Sequence, residues 1–215
     1  MTARSALRGS RALVNRLSAV RFATLASDLA PARNALAFAV GRSYQPPAYA
    51  KRTHLLRLLD ERGHSVFVEA GTYLGDTVEF FSHHVERVIS VELHDGLYAR
   101  AAERFAGVPN VDIRHGDAMD LVPAVVADLA TAPLIWLDGH YSGEGTAAGT
   151  EIEPAAAILE RLGPVSPAGT TVVIDDLRLF GNPQYARLDD LVNAATRSFP
   201  RAMVRTGLDS LVIEA

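Results

Sequence analysis

Between Val66 and Ile174 the chain changes its hydrophobic period repeatedly. Short apolar runs, rich in valine and isoleucine, stand at Val66–Ala70, Arg87–Glu92, Val111–Arg114, Pro133–Leu137 and Thr170–Ile174. The intervals Gly75–His84, Asp95–Phe105, Leu121–Leu129, Glu151–Leu162 and Tyr185–Ser198 carry apolar residues at helical spacing. Short runs bounded by turn residues suit strands buried on both faces, and the intervals suit covering helices. Parallel neighbours need a crossover of roughly a dozen residues or more. The alternation therefore predicts an α/β fold, a doubly wound and mostly parallel sheet. Asp95 is expected to cap its helix, and Pro154 is tolerable near a helix start.

The two ends depart from this alternation. Ala202–Thr206 and Ser210–Glu214, joined by Gly207-Leu208-Asp209, predict a hairpin that adds one antiparallel strand and brings the sheet to seven strands. Near the other end, Ser43-Tyr44-Gln45-Pro46-Pro47 opposes helix. It divides the chain into a helical extension over 1–47 and a main domain over 48–215, which opens with a helix over Tyr49–Arg62 ended by Gly63. Met1–Ser27 holds Arg4, Arg8, Arg11, Arg16 and Arg21 and no acid. That composition fits an organelle transit segment or an amphipathic helix carrying Leu13, Val14, Leu17 and Val20. The wealth of alanine and arginine favours the helix, covering the domain or a second copy in a homodimer.

At 215 residues and 48% apolar content the chain can bury a sizeable core without cross-links. The lack of cysteine excludes disulfides, thiolate zinc sites and cysteine nucleophiles. A formal charge of −4 gives no reason to expect nucleic acid. No stretch approaches the roughly 18 apolar residues of a membrane span, and a cytoplasmic location is expected.

Ligands of open parallel sheets bind beyond the carboxyl ends of the strands, near the switch in strand order. The first strand delivers Glu69-Ala70-Gly71-Thr72-Tyr73-Leu74-Gly75-Asp76-Thr77 to that rim. Its glycines allow a tight turn, and the helix behind it offers free N–H groups to an anion. The G-x-x-x-G spacing differs from G-x-G-x-x-G and disfavours a pyrophosphate cofactor. Glu92, about twenty residues later, could accept both hydroxyls of a ribose. Asp117 could receive an adenine amino group or cap a helix.

The segments "VFVEAGTYLGDT", "VISVEL", "RHGDAMD" and "LIWLDGHYS" resemble the class I S-adenosylmethionine-dependent methyltransferases, over about Tyr49 to Ala215. The resemblance implies a Rossmann-like sheet and S-adenosylmethionine as cofactor. It implies that Gly71, Thr72, Tyr73 and Gly75, with Glu69 and Thr77 beside them, surround the cofactor's methionine. It places Glu92 at the ribose and Asp117 with Ala118 at the adenine.

The fourth strand ends at Asp138 and the fifth at Asp175-Asp176. Three carboxylates at one rim repel unless protons or a cation intervene, and all-oxygen ligation suits Mg²⁺. This resembles the metal-dependent O-methyltransferases, whose catechol-directed members often carry Asp-Asn where this chain has Asp175-Asp176. The alternative is that the pair caps the following turn and Asp138 touches only cofactor. His140 is the candidate general base, or else it orients Asp138 or a water. Tyr141 and Ser142 could hydrogen-bond a substrate, and Gly143, Gly145 and Gly149 suggest a flap. Glu144, Glu151 and Glu153 fit solvated positions.

"WLDGHYSGEGTA" is similar to small bacterial methyltransferases of sugar and polysaccharide modification. That implies Mg²⁺-assisted methyl transfer to a saccharide hydroxyl, in its narrowest form the 1-OH of a methylmannoside. Two other readings stand beside it: methylation of a phenolic or macrolide-type natural product, and a non-catalytic cofactor-binding subunit.

Overall fold

A computed structural model describes residues 35–41, 43, 45–138, 154–183 and 185–215. The chain divides into two compact units, Met1–Tyr49 and Ala50–Ala215. In the first, the described residues include a helical turn at 35–39. The second contains the sheet.

The elements follow in the order α1 (Ala48–Arg62), β1 (Val66–Ala70), α2 (Asp76–Ser82), β2 (Arg87–Glu92), α3 (Asp95–Phe105), β3 (Val111–His115), α4 (Ala118–Ala127), β4 (Leu134–Leu137), α5 (Ala155–Leu162) and β5 (Thr171–Ile174). A 3₁₀ turn (Leu177–Leu179), α6 (Leu188–Ser198), β6 (Met203–Gly207) and β7 (Ser210–Glu214) complete the chain. The seven strands lie in the order β3-β2-β1-β4-β5-β7-β6. β1 to β5 pair in parallel, and β7 pairs antiparallel with both β5 and β6. This is a doubly wound, mostly parallel Rossmann-like sheet with a closing hairpin.

Alternate strand residues feed two cores. Val68, Ile89, Ile135, Val172 and Ile213 pack with Val122, Ile158, Leu159 and Leu191 on the α4–α6 side. Phe67, Val88, Trp136, Val173 and Val212 pack with Leu55, Leu58, Phe81 and Phe105 on the α1–α3 side. Phe67 and Phe81 stack with centroids 4.0 Å apart. Truncating either ring to alanine is expected to cost about 3–5 kcal/mol.

Local departures from the expected boundaries have clear causes. Helix α3 is capped by His94, not Asp95: the His94 ring accepts from Gly96 N and Leu97 N, and Asp95 is the first helical residue. Helix α4 starts at Ala118, three residues before the expected Leu121, which leaves Pro123 inside it. Proline has no N–H for the carbonyl four residues back. That carbonyl, Met119 O, instead accepts from Arg161 Nη1 at 2.9 Å. Helix α5 begins after Pro154, and the expected start at Glu151 lies outside the described residues. Between β6 and β7 both Leu208 and Asp209 have positive φ, 49° and 63°. That is the handedness a two-residue hairpin requires, and Gly207 pairs with Ser210 to close it.

Candidate active site

Ala70, Leu137 and Ile174 are in register across β1, β4 and β5. The ladder runs one step further through Asp138 N to Ala70 O (3.2 Å) and Asp175 N to Leu137 O (3.1 Å). Gly71, Asp138 and Asp175 therefore leave the sheet at one level. The strand order reverses between β1 and β4, where a crevice opens in such sheets.

At this rim Asp138, Asp175 and Asp176 place carboxylate oxygens within 4.8 Å of one another. Asp176 has left-handed backbone (φ 54°, ψ 41°) and begins the 3₁₀ turn without capping it by its side chain. Its Oδ1 instead accepts from Lys51 Nζ at 2.7 Å and Arg178 Nη1 at 2.6 Å. Lys51 Nζ also bonds Asp175 Oδ2. Arg178 reaches on to Asp209, whose Oδ1 accepts from Arg178 N at 2.9 Å. Asp209 thus braces the β5 exit from the hairpin turn.

Burial pushes the Asp175 carboxyl up to about 7, helped by the charge of Asp138 and opposed by Lys51. Burial likewise raises Asp138 to about 7 against the pull of Lys51. Asp176 lies lower than usual, because hydrogen bonds from Arg178 and Lys51 outweigh its own burial. Burial would strip the Lys51 proton, yet the charges and hydrogen bonds of Asp175 and Asp176 prevail and hold its pKa above the ordinary value. Lys51 is an ammonium and not a base.

The donor set is all oxygen, and Asp175 Oδ1 is buried with no hydrogen-bond partner among the described residues. Such a set fits Mg²⁺ in donor type. Sequence reasoning missed Lys51, which already answers part of the repulsion. The available signal was its rarity, since it is the one lysine in the chain. Removing one partner of a buried ion pair costs about 3–5 kcal/mol.

The loop after β1 is fastened from below. Glu69 and Ser90 are register partners, and Ser90 Oγ donates to Glu69 Oε2 at 2.6 Å. Ser90 Oγ lies 2.7 Å from Thr72 Oγ1. Burial raises the Glu69 carboxyl to about 8, although the Ser90 hydrogen bond pulls the other way. Glu92 accepts Tyr73 N on Oε2 and His94 N on Oε1, each at 2.8 Å. Gly71 and Gly75 have φ of 95° and 82°. A Cβ on Gly75 would meet the Phe105 ring at 2.7 Å. Helix α2 is one of seven residues with Asp76 and Glu79 in its first turn, so the anion expected there would meet like charge. Thr77 lies within α2, half-buried. Asp117 accepts Met119 N at 2.9 Å and caps α4, with Ala118 as the first helical residue.

His140, Tyr141, Ser142, Gly143, Glu144, Gly145, Gly149, Glu151 and Glu153 lie outside the described residues. Three of the other histidines take structural places. His64 bonds Ala132 O and Thr171 Oγ1, His84 stacks on Phe80, and His115 stacks on Tyr98. Among the described residues no helix is long and apolar enough to cross a membrane.

No protein-family model matches this chain, and no curated protein matches it. Solved structures do. An O-methyltransferase from Bacillus cereus in complex with S-adenosylhomocysteine is similar at 17% identity and TM-score 0.53, over 84% of this chain and 87% of that one. A Podospora anserina methyltransferase bound to S-adenosylhomocysteine matches at 13% identity and TM-score 0.54, over 76% and 77%. An S-adenosylmethionine-bound amino pentose methyltransferase from Micromonospora echinaspora, involved in calicheamicin biosynthesis, matches at 12% identity and TM-score 0.54, over 85% and 96%. With the strand order and the C-terminal hairpin, these likenesses establish that residues 50–215 carry the class I methyltransferase fold.

Proposed function

We propose that the protein is an S-adenosylmethionine-dependent O-methyltransferase that acts on a saccharide hydroxyl with help from Mg²⁺. The observation that carries this reading is the trio Asp138, Asp175 and Asp176 beside the switch in strand order, Asp138 and Asp175 one residue and Asp176 two residues beyond the in-register ends of β4 and β5. The fold's known ligand, met in similar solved structures, would lie along the neighbouring loop. Gly71, Thr72, Tyr73, Gly75 and Thr77 would take its methionine part, with Glu69 supporting them from beneath. Glu92 would take the ribose, and Asp117 with Ala118 the adenine. Each Glu92 oxygen accepts one backbone N–H and keeps capacity for a further hydroxyl.

The cofactor supplies an electrophilic sulfonium methyl, and Mg²⁺ held by Asp138, Asp175 and Asp176 would make an acceptor hydroxyl more acidic. The chain's part is to orient and to move one proton. Buried Glu69 keeps its proton at neutral pH, so no second negative charge sits under Asp138. His140, two residues past Asp138, would receive the hydroxyl proton on a ring nitrogen. Tyr141 and Ser142 would hold the acceptor. A saccharide is favoured over a flat phenol because the loop after Asp138 is polar and poor in aromatic residues. A polysaccharide precursor, such as a methylmannoside methylated at its 1-OH, is the narrowest form of this reading. Assembly as a homodimer through the N-terminal extension belongs to it and is checked by sedimentation.

The test is methyl transfer from labelled S-adenosylmethionine to a panel of saccharides, phenols and macrolides. Label on saccharides supports the reading. Label on phenols or macrolides alone moves the substrate class. Calorimetric binding of S-adenosylhomocysteine with no transfer to any acceptor would leave a non-catalytic cofactor-binding subunit.

A further inference from the structure

Of the 21 lysine and arginine side chains in this protein, Lys51 alone is a lysine. Its ammonium lies on Asp175 Oδ2 and Asp176 Oδ1, oxygens of two of the three acids suited to a divalent cation. The side chain is 16% exposed, and those of Asp175 and Asp176 are 1% and 11% exposed. An arginine presents a planar fork, whereas an ammonium is a compact point charge on a flexible stem. At this one place the chain uses the cation that most nearly imitates a small metal ion. Mg²⁺ needs its ligand oxygens at about 2.1 Å. An ion there, bound to the same carboxylates, would stand against the Lys51 charge across a distance too short for water to screen.

We propose that Lys51 is a displaceable internal cation: its ammonium and a divalent metal are mutually exclusive partners of the Asp175 and Asp176 carboxylates. Metal loading then requires Lys51 to swing out, and the acids stay compensated whenever metal is absent. Lys51 stands in the first turn of α1 (Ala48–Arg62), so loading is coupled to that turn. The inference rests on the reading that the acidic trio takes a divalent cation.

Mn²⁺ is the probe, with bound ion read by electron paramagnetic resonance in wild type and Lys51→Gln. The variant is expected to bind Mn²⁺ roughly tenfold more tightly or better, the order of change for losing one charged competitor. Equal or weaker binding by the variant overturns the competition and leaves the metal site standing. Binding by neither protein overturns the metal reading and the competition with it. A second measurement needs no variant. Because Lys51 is the single lysine, amine acetylation followed by peptide mass spectrometry reports its exposure apart from the N-terminal amine. Labelling of Lys51 should accelerate several-fold on Mn²⁺ saturation. An unchanged rate with Mn²⁺ bound overturns the proposal, and this measurement decides alone if Lys51→Gln does not fold.

Discussion

Glu92 accepts the backbone N–H of Tyr73 at 2.8 Å and so ties the end of β2 to the loop after β1. Tyr73 has left-handed backbone, φ 49°, and this bond helps to hold it there. In Glu92→Ala the loop loses that anchor and the proposed ribose loses its acceptor. Affinity for S-adenosylhomocysteine should fall by about tenfold or more, each factor of ten being about 1.4 kcal/mol. Glu92→Gln retains one acceptor oxygen and should fall between. Calorimetry measures both, and unchanged affinity in Glu92→Ala would remove Glu92 from the cofactor site.

Glu69 makes stability depend on pH. Its folded pKa is raised by burial from 4.5 to about 8. Below 4.5 both folded and unfolded chains hold the proton, and the carboxyl exacts no cost. Between 4.5 and about 8 only the unfolded chain releases it, so stability falls as pH rises. The loss is on the order of a few kcal/mol. Glu69→Gln should flatten this slope and be more stable than wild type at pH 9 relative to pH 5. Melting temperatures across that range decide it, and parallel profiles would show that Glu69 ionises freely.

Asp209 reaches the acidic group through Arg178, which it shares with Asp176. Asp209→Ala removes the acceptor for Arg178 N and its ion pair, at a cost of about 1–3 kcal/mol. Asp209→Asn keeps the acceptor and should lose less. Urea unfolding gives the stabilities. Turnover should fall in the same order, because Arg178 no longer steadies Asp176.

The proposed chemistry separates binding from transfer. His140→Ala should keep affinity for S-adenosylhomocysteine and lose most of kcat, a factor of roughly 10²–10⁴ for a general base. Near-normal turnover would remove His140 from that role.

Asp176→Ala should lose Mn²⁺ binding and activity together, and EDTA should abolish wild-type turnover. A wild-type rate indifferent to EDTA would leave Asp138, Asp175 and Asp176 as a group compensated by Lys51 and Arg178.

Much of this architecture is written in local pattern. The alternation of apolar runs and helical spacing determined the elements, their parallel pairing and the closing hairpin, because period and length are properties of neighbours in the chain. The same pattern put Gly71, Glu92, Asp117, Asp138 and Asp175-Asp176 at the strand ends, since strand direction assigns every carboxyl end to one rim. Which groups meet there was decided by tertiary structure. Lys51 is more than a hundred residues from Asp175 in sequence, and Asp209 reaches the site across a hairpin turn. The Glu69–Ser90 contact follows from strand register, which no single strand encodes. The capping of α3 by His94 in place of Asp95 turned on one residue's backbone angles. Spacing along the chain located the acids; only packing supplied their counter-charges, because ion pairs form between whatever side chains the folded sheet and helices bring within reach.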